Sequence, residues 1–300
     1  FLMNTTTILL TGATGFLGSH LLESFVSNQY QVVILKRSSS ELWRIEHLLG
    51  LVKIYNVDEE PLKRAFTDQH IDCVVHTACY YGRQNQGLAE FVESNVLFGL
   101  RVLDAAVLHR AEAFINTDTF FVKEVNAYSL AKKQFVDWLE RASKETKVVN
   151  LKLQHVYGTK DDHTKFIPWI LNQLEQDVAE INLTKGDQKR DFIHVRDVVS
   201  AYEVILNKVA ELKEFSEFDV GTGELISVQF FVSKLWEFFY AIKGGKKASK
   251  LNFGALPLRA GEMKSVEVNN QALKNLGWFP QMSLGAGIRD IIEQETFVKR

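Results

Sequence analysis

The chain has 300 residues, 46% of them hydrophobic, and a formal net charge of −2. That size and apolar content allow one large α/β domain, or a domain with a lobe, around a real core. The near-neutral charge argues against a general nucleic-acid or membrane binder, and two cysteines, Cys73 and Cys79, read as reduced thiols of a cytoplasmic protein.

The first predicted strand, residues 7–10, runs into the segment 11–18, TGATGFLG, whose glycines Gly12, Gly15 and Gly18 stand three apart. A helical pattern over 17–29 follows at once, with Leu17, Leu21, Leu22, Phe25 and Val26 on one face. A strand feeding a glycine turn at a helix N-terminus is a phosphate cradle, because free N–H groups and the positive end of the helix dipole suit a pyrophosphate. Glycine is needed where a Cβ would block the turn or the approach of the ligand. The spacing is GxxGxxG rather than the common GxGxxG.

The second predicted strand, 31–36, ends in Lys36, Arg37, Ser38, Ser39 and Ser40, and no carboxylate appears before Glu41. A NAD site usually places Asp or Glu there, on the ribose hydroxyls. Two cations with three hydroxyls suit a 2′-phosphate instead, so the expected cofactor is NADPH/NADP+. Asp58 follows the third strand, 52–57, and is placed to accept from an adenine amino group, a plain surface aspartate being the alternative. A helix at 61–69, a strand at 73–77 with Cys73 as core packing, a helix at 88–110 and a strand at 113–117 come next. A helix at 128–144 and strands at 148–153 and 218–220 complete the alternation. Continuous Val/Ile/Leu strands in βαβα order predict a Rossmann doubly wound parallel sheet covered on both faces. Beyond 158, helices at 166–176, 197–207 and 227–240 with few strands suggest a smaller C-terminal substrate-binding lobe over the carboxyl edge of the sheet. The expected division is 1–158 with 190–222 for the dinucleotide domain, and 159–189 with 223–300 for the lobe. Segment 244–247 reads as an exposed loop. No apolar run reaches the roughly 18 residues of a membrane span, and no metal-ligand motif is seen.

Tyr128 and Lys132 form a YxxxK pair, one turn apart on one helix face. A phenol has an ordinary pKa of about 10, and a neighbouring ammonium is expected to bring it toward the working range. Thr117, ending the preceding strand, can hold the substrate oxygen that Tyr128 protonates.

With these residues in place, the chain resembles the extended short-chain dehydrogenase/reductases of the NAD-dependent epimerase/dehydratase group, which act on nucleotide sugars. The resemblance rests on TGATGFLG, His76-Thr77-Ala78, Asn95, the Thr117/Tyr128/Lys132 set, HVYG at 155–158, RDFIHV at 190–195, VGTGE at 220–224, RAGE at 259–262 and LGW at 276–278. It implies cofactor contacts from Gly12, Thr14, Gly15, Phe16, Leu17, Lys36, Arg37, Ser38, Val57, Asp58, Thr77, Ala78, Asn95, Tyr128, Lys132 and His155. For the sugar it implies Tyr80, Tyr81, Arg83, Asp118, Thr119, Phe166, Arg259 and Glu262, with Lys165 and Arg190 assigned to the diphosphate by charge.

The departures from the family set the expected reaction. Its 4,6-dehydratases carry Thr-Asp-Glu at the active strand, whereas this chain has Thr117-Asp118-Thr119. The acidic residue that epimerases keep at the second strand end is absent. The phrases NTDTFF, ACYYGR, FIPWI and RDFIHVRDVV resemble the CDP-abequose and CDP-paratose synthase branch. That branch implies NADPH-dependent reduction of the C4 ketone of a CDP-4-keto-3,6-dideoxyhexose for O-antigen sugars, in a homodimer. The alternatives are a nucleotide-sugar 4-epimerase with tightly bound NAD and a non-catalytic NADP-binding sensor or scaffold. Thr117 and Tyr128 stand closer in sequence than the resemblance implies, so either the loop is short or residues are missing between them. The expected dimer helices, 88–110 and 128–144, carry Phe91, Phe98, Leu103, Val136 and Leu139, which are equally suited to packing on the sheet.

Overall fold

A computed structural model describes residues 6–82, 87–244, 248–258 and 264–294. In chain order it contains β1 (Thr7–Thr11), α1 (Phe16–Ser27), β2 (Gln31–Lys36), β3 (Lys53–Asn56), α2 (Arg64–Thr67) and β4 (Cys73–His76). Next come α3 (Leu88–Val92), α4 (Phe98–Leu108), β5 (Ala113–Thr119), α5 (Ala127–Ala142) and β6 (Lys147–Leu153). Short elements follow: β7 (His155–Tyr157), α6 (Phe166–Glu175), β8 (Glu180–Leu183), β9 (Lys189–Arg190) and β10 (Phe192–His194). The chain ends with α7 (Val195–Lys208), β11 (Phe215–Val220), β12 (Ile226–Ser227), α8 (Val228–Lys243), β13 (Lys250–Phe253), α9 (Gln271–Asn275) and α10 (Leu284–Gln294).

The chain forms two compact units, Phe1–Leu153 with Ala201–Asp219, and Gln154–Ser200 with Val220–Arg300. The first is built on a seven-stranded sheet of order β11-β6-β5-β4-β1-β2-β3. Its pairs from β3 to β6 are parallel. β11 meets β6 with one constant offset, Val148 N–H to Glu214 O and Gln154 N–H to Val220 O, which is also parallel pairing. The doubly wound sheet expected from the alternation is therefore present. The strand order reverses between β1 and β4, the place where ligands bind in such sheets. Ile8, Leu9 and Leu10 are fully buried, as are Val74, Val75, Phe114 and Ile115. Helix α1 lays Leu21, Leu22 and Phe25 against the sheet.

Two helices differ from the sequence expectation. The helix expected at 61–69 is a single turn, Arg64–Thr67; Pro61 opens a turn in which the Arg64 N–H bonds its carbonyl, and that geometry uses up the first residues. The helix expected at 88–110 is interrupted by a π-helical segment, Glu93–Leu97, whose buried residues are Asn95 and Val96. The extra residue in a π turn rotates the following face, so α4 presents Gly99, Val102, Leu103 and Ala106 inward. Gly99 is required there, because a Cβ would come within 2.6 Å of the Phe135 ring on α5. Leu103 and Leu139 belong to the core, with Phe98 packed against it, so two residues offered as dimer contacts are structural. Exposed apolar side chains on the same helices are instead Leu88, Val92, Leu97, Leu108, Leu130 and Trp138.

The second unit holds more strand than expected. β10 pairs with β7 and β13 with β8, both parallel, and β12 pairs with β9 antiparallel. These strands are two to four residues long, too short for an alternation to stand out. Their core joins Tyr157, Ile170, Leu174, Phe192, Phe231, Leu235, Phe239 and Ile291, with Phe192 stacked on Phe231 at 4.1 Å between ring centroids. Asp191 ties down the following loop: one carboxylate oxygen accepts from the Thr222 N–H and hydroxyl, the other from the Gly223 N–H at 2.7 Å. Among the described residues no helix is long and apolar enough to cross a membrane.

Candidate active site

The glycine turn occupies the β1/β4 switch point. Gly12 has φ +72°, and a Cβ there would stand 2.7 Å from the Ala78 nitrogen and 2.7 Å from Thr77 Oγ1. A Cβ on Gly18 would stand 2.0 Å from the Gly12 carbonyl oxygen. Helix α1 starts at Gly15 with no side-chain cap and no acidic residue in its first turn, which leaves its N-terminal dipole for an anion. Thr77 and Ala78 are stitched to β1, the Thr77 hydroxyl donating to the Thr11 carbonyl and the Ala78 N–H to Thr11 Oγ1. Thr14, Phe16 and Leu17 are half-buried around the turn.

At the β2 end, Arg37 and Ser38 are exposed and Lys36 is half-buried, its Nζ on the Arg37 carbonyl at 3.2 Å. Val57 joins β3 to β2, its N–H bonding the Lys36 carbonyl. Asp58 accepts from the Ser38 N–H at 2.8 Å and from the Ser38 hydroxyl at 2.7 Å, and these two bonds hold its carboxyl below the ordinary range. Arg44, not singled out from sequence, lies over the same region, with Nη1 3.3 Å from the Thr14 carbonyl and its guanidinium 4.1 Å from the Trp43 ring centroid. Its signal was faint, a lone cation after an irregular stretch.

The start of α5 is fixed by a capping box: Asn126 Oδ1 accepts from the Ser129 N–H, and Ser129 Oγ accepts from the Asn126 N–H. That places Tyr128 in the first turn and Lys132 one turn on. The loop before it spans residues 120–126. The Tyr128 ring lies 4.9 Å from that of Tyr81. Burial pushes the Tyr128 phenol well above its ordinary pKa, with Cys79 and Asp118 adding to the effect and a hydrogen bond from Tyr81 opposing it. This corrects the expectation of a phenol drawn down by Lys132. Lys132 is itself fully buried, and burial pulls its ammonium down, with Cys79 and Asp118 opposing. Tyr128 is thus a protonated phenol at neutral pH.

Along β5, side chains alternate between faces. Thr117 points to one face, where its Oγ1 lies 2.6 Å from the hydroxyl of Tyr202. Asn116 and Asp118 point to the other and share Asn150. Asp118 is buried and paired with Lys133, Nζ to Oδ2 at 2.5 Å, while the same ammonium reaches the Thr119 carbonyl at 2.6 Å. Asn150 also donates to Glu217, which pairs with Lys152, and Lys152 pairs with Asp219. This polar ladder across β5, β6 and β11 was missed. Its signal was the period-two polarity of Asn116/Asp118, Asn150/Lys152 and Glu217/Asp219 at the strand ends. The Thr119 hydroxyl turns back onto its own loop, accepting from the Phe121 N–H.

Asn95 is buried and clasps the backbone of Tyr80, accepting from its N–H at 2.7 Å and donating to its carbonyl at 2.9 Å. The loop carrying Tyr80 and Tyr81 is thereby pinned. His76 is fully buried, its Nδ1 2.9 Å from Thr11 Oγ1. Burial lowers its pKa to about 3, helped by Lys132.

His155, Arg190, Lys165 and Phe166 lie in the second unit. His155 is half-buried there, its pKa lowered to about 3 by burial and then by Arg190. Arg190 is buried with Nη1 on the Lys189 carbonyl at 2.8 Å. Lys165 pairs with Asp161 at 3.0 Å, and Phe166 opens α6. Arg83, Arg259 and Glu262 fall outside the described residues. No cluster that could hold a metal ion occurs among the described residues.

Comparison with known proteins places this geometry in context. The model of the NAD dependent epimerase/dehydratase family matches residues 8–221. The CDP-abequose synthase of Salmonella typhimurium is 32% identical over 96% of this chain and 97% of its own length. Among solved structures, UDP-glucose 4-epimerase of Thermotoga maritima with UDP-glucose has a TM-score of 0.82 at 23% identity, over 96% of this chain and 98% of that one. The UDP-glucose 4-epimerase of Thermus thermophilus in complex with NAD has a TM-score of 0.79 at 21% identity, over 96% and 98%. At these identities the two structures establish the fold.

Proposed function

The chain belongs to the NAD dependent epimerase/dehydratase family, and from that premise we propose that it is a ketoreductase that uses NADPH to reduce the C4 ketone of a CDP-linked 4-keto-3,6-dideoxyhexose. The likeness to CDP-abequose synthase supports the substrate class. The residues present fit a dinucleotide. Gly12 and Gly18 leave no room for a Cβ at the turn, and α1 begins uncapped toward it. Arg37 with Lys36, and Arg44 over Thr14, supply the cations that a 2′-phosphate needs. Bound there, the reduced nicotinamide supplies a hydride.

The chain's own residues do the rest. Thr117 donates a hydrogen bond to the ketone oxygen. Tyr128, kept protonated by burial, delivers the proton that the oxygen requires. Buried Lys132 stabilises the phenolate left behind. The observation that carries a net reduction, rather than an elimination of water, is Thr119: it follows Asp118 where the resemblance places a glutamate in the dehydratases, and its hydroxyl turns back to accept from the Phe121 N–H, so no second carboxyl stands at the end of the strand.

A second reading, a 4-epimerase with retained NAD, is favoured by one feature, the Asp58 carboxylate at the β2 end. The deciding experiment follows NADPH and NADH oxidation against a panel of nucleotide 4-keto-deoxysugars, with NMR of the product. Consumption of NADPH with a CDP-4-keto sugar supports the reductase. NAD released from the purified protein, with no net NADPH oxidation on any sugar, refutes it in favour of the epimerase.

A further inference from the structure

We infer that Tyr202 is a positioning residue for the reaction: its phenol donates to Thr117 Oγ1 and so leaves the Thr117 proton to point at the substrate oxygen. The two oxygens are 2.6 Å apart. Tyr202 is fully buried on α7 and lies in the same compact unit as Thr117. Thr117 has one proton and two lone pairs, so the direction of this bond decides what it can offer a ligand.

The direction follows from acidity. A phenol is a stronger donor and a weaker acceptor than an aliphatic hydroxyl, so the Tyr202 proton lies on the bond. Burial pushes the phenol's pKa up, which keeps that proton in place at every working pH. Thr117 then accepts from Tyr202 and must turn its own O–H elsewhere. Asn116 and Asp118 leave the strand on the opposite face, toward Asn150, so the ladder there does not compete for the Thr117 hydroxyl. A hydroxyl that already accepts one strong bond is also polarised as a donor. Tyr202 thus acts through Thr117 and does not itself touch the reacting atoms.

The kinetic consequence rests on the ketoreductase reading, while the hydrogen bond does not, and the test separates the two. In the protein labelled with [13Cζ]tyrosine, without substrate, the resonance that Tyr202→Phe removes should shift in Thr117→Val and return in Thr117→Ser. An unmoved resonance overturns the inference whatever the enzyme's substrate. With substrate, Tyr202→Phe should lower kcat about tenfold while KM stays within twofold, a smaller loss than deletion of a direct oxyanion donor. Added to Thr117→Val, it should cost nothing more. Wild-type kcat in Tyr202→Phe, or an equal loss in both backgrounds, overturns the positioning role.

Discussion

Replacing Gly18 by Ala tests the cradle most directly. Alanine normally stabilises a helix position by about 1 kcal/mol over glycine, so propensity alone predicts a gain. The structure predicts a loss. The new Cβ would stand 2.0 Å from the Gly12 oxygen, 2.6 Å from the Gly12 carbonyl carbon and 2.9 Å from Ala13 Cα. All three are backbone atoms, so no side chain can swing away, and α1 must back off from the turn by more than an ångström. Overpacking of this kind costs about 1–3 kcal/mol, and a contact this short belongs at the upper end, leaving a net loss of about 1–2 kcal/mol. That corresponds to a drop of roughly 2–8 °C in melting temperature for a unit of this size. The same movement separates the helix N-terminus from the ligand, so dinucleotide affinity should fall at least about tenfold. Thermal melts and fluorescence titration with NADPH measure both. Gly50 provides the control: it is exposed, nothing lies within 4 Å of a Cβ there, and its φ is not positive, so Gly50→Ala should leave affinity unchanged and stability equal or raised by up to about 1 kcal/mol. Wild-type stability and affinity in Gly18→Ala would refute the packing argument.

Tyr128→Phe should lower turnover by about two orders of magnitude or more, with NADPH binding retained in a fluorescence titration. Arg37→Ala and Arg44→Ala should each raise KM for NADPH about tenfold and leave NADH use unchanged; equal effects on both cofactors would remove the 2′-phosphate from the account. Lys133→Met strands the buried Asp118 carboxylate and should cost about 2–3 kcal/mol in urea unfolding, less than a fully buried pair because the ammonium is partly exposed, and Asp118→Asn in the same chain should recover most of it. His76 has its pKa lowered to about 3 in the fold, so below about pH 6.5 the unfolded chain takes up a proton the native state refuses. Stability should therefore fall as pH drops from 6.5 toward 3, at up to about 1.4 kcal/mol per pH unit, and His76→Phe should flatten that slope.

The order of elements, the switch point and the glycine turn were legible in the sequence because each is written locally. An apolar strand, a turn that only glycine can make and an amphipathic helix are all short-range patterns, and the parallel sheet follows from their alternation. The spacing of Tyr128 and Lys132, one turn apart on α5, was likewise a local pattern, whereas the cap from Asn126 and Ser129 that starts the helix was not read from the sequence. What depends on partners distant in sequence was decided by the tertiary structure. Only the fold brings the Lys133 ammonium onto Asp118 Oδ2 and gives that buried carboxylate a cation partner. Only the fold half-buries Tyr128 against the Tyr81 ring, reversing the expected direction of its pKa, because burial is a property of what packs around a residue and not of its neighbours in the chain. Tyr202 lies 85 residues from Thr117 in sequence, and the contact exists because α7 packs where the end of β5 emerges from the sheet. The glycine turn announces a dinucleotide from eight residues; the proton that would go to the sugar ketone is set by side chains gathered from four separate segments.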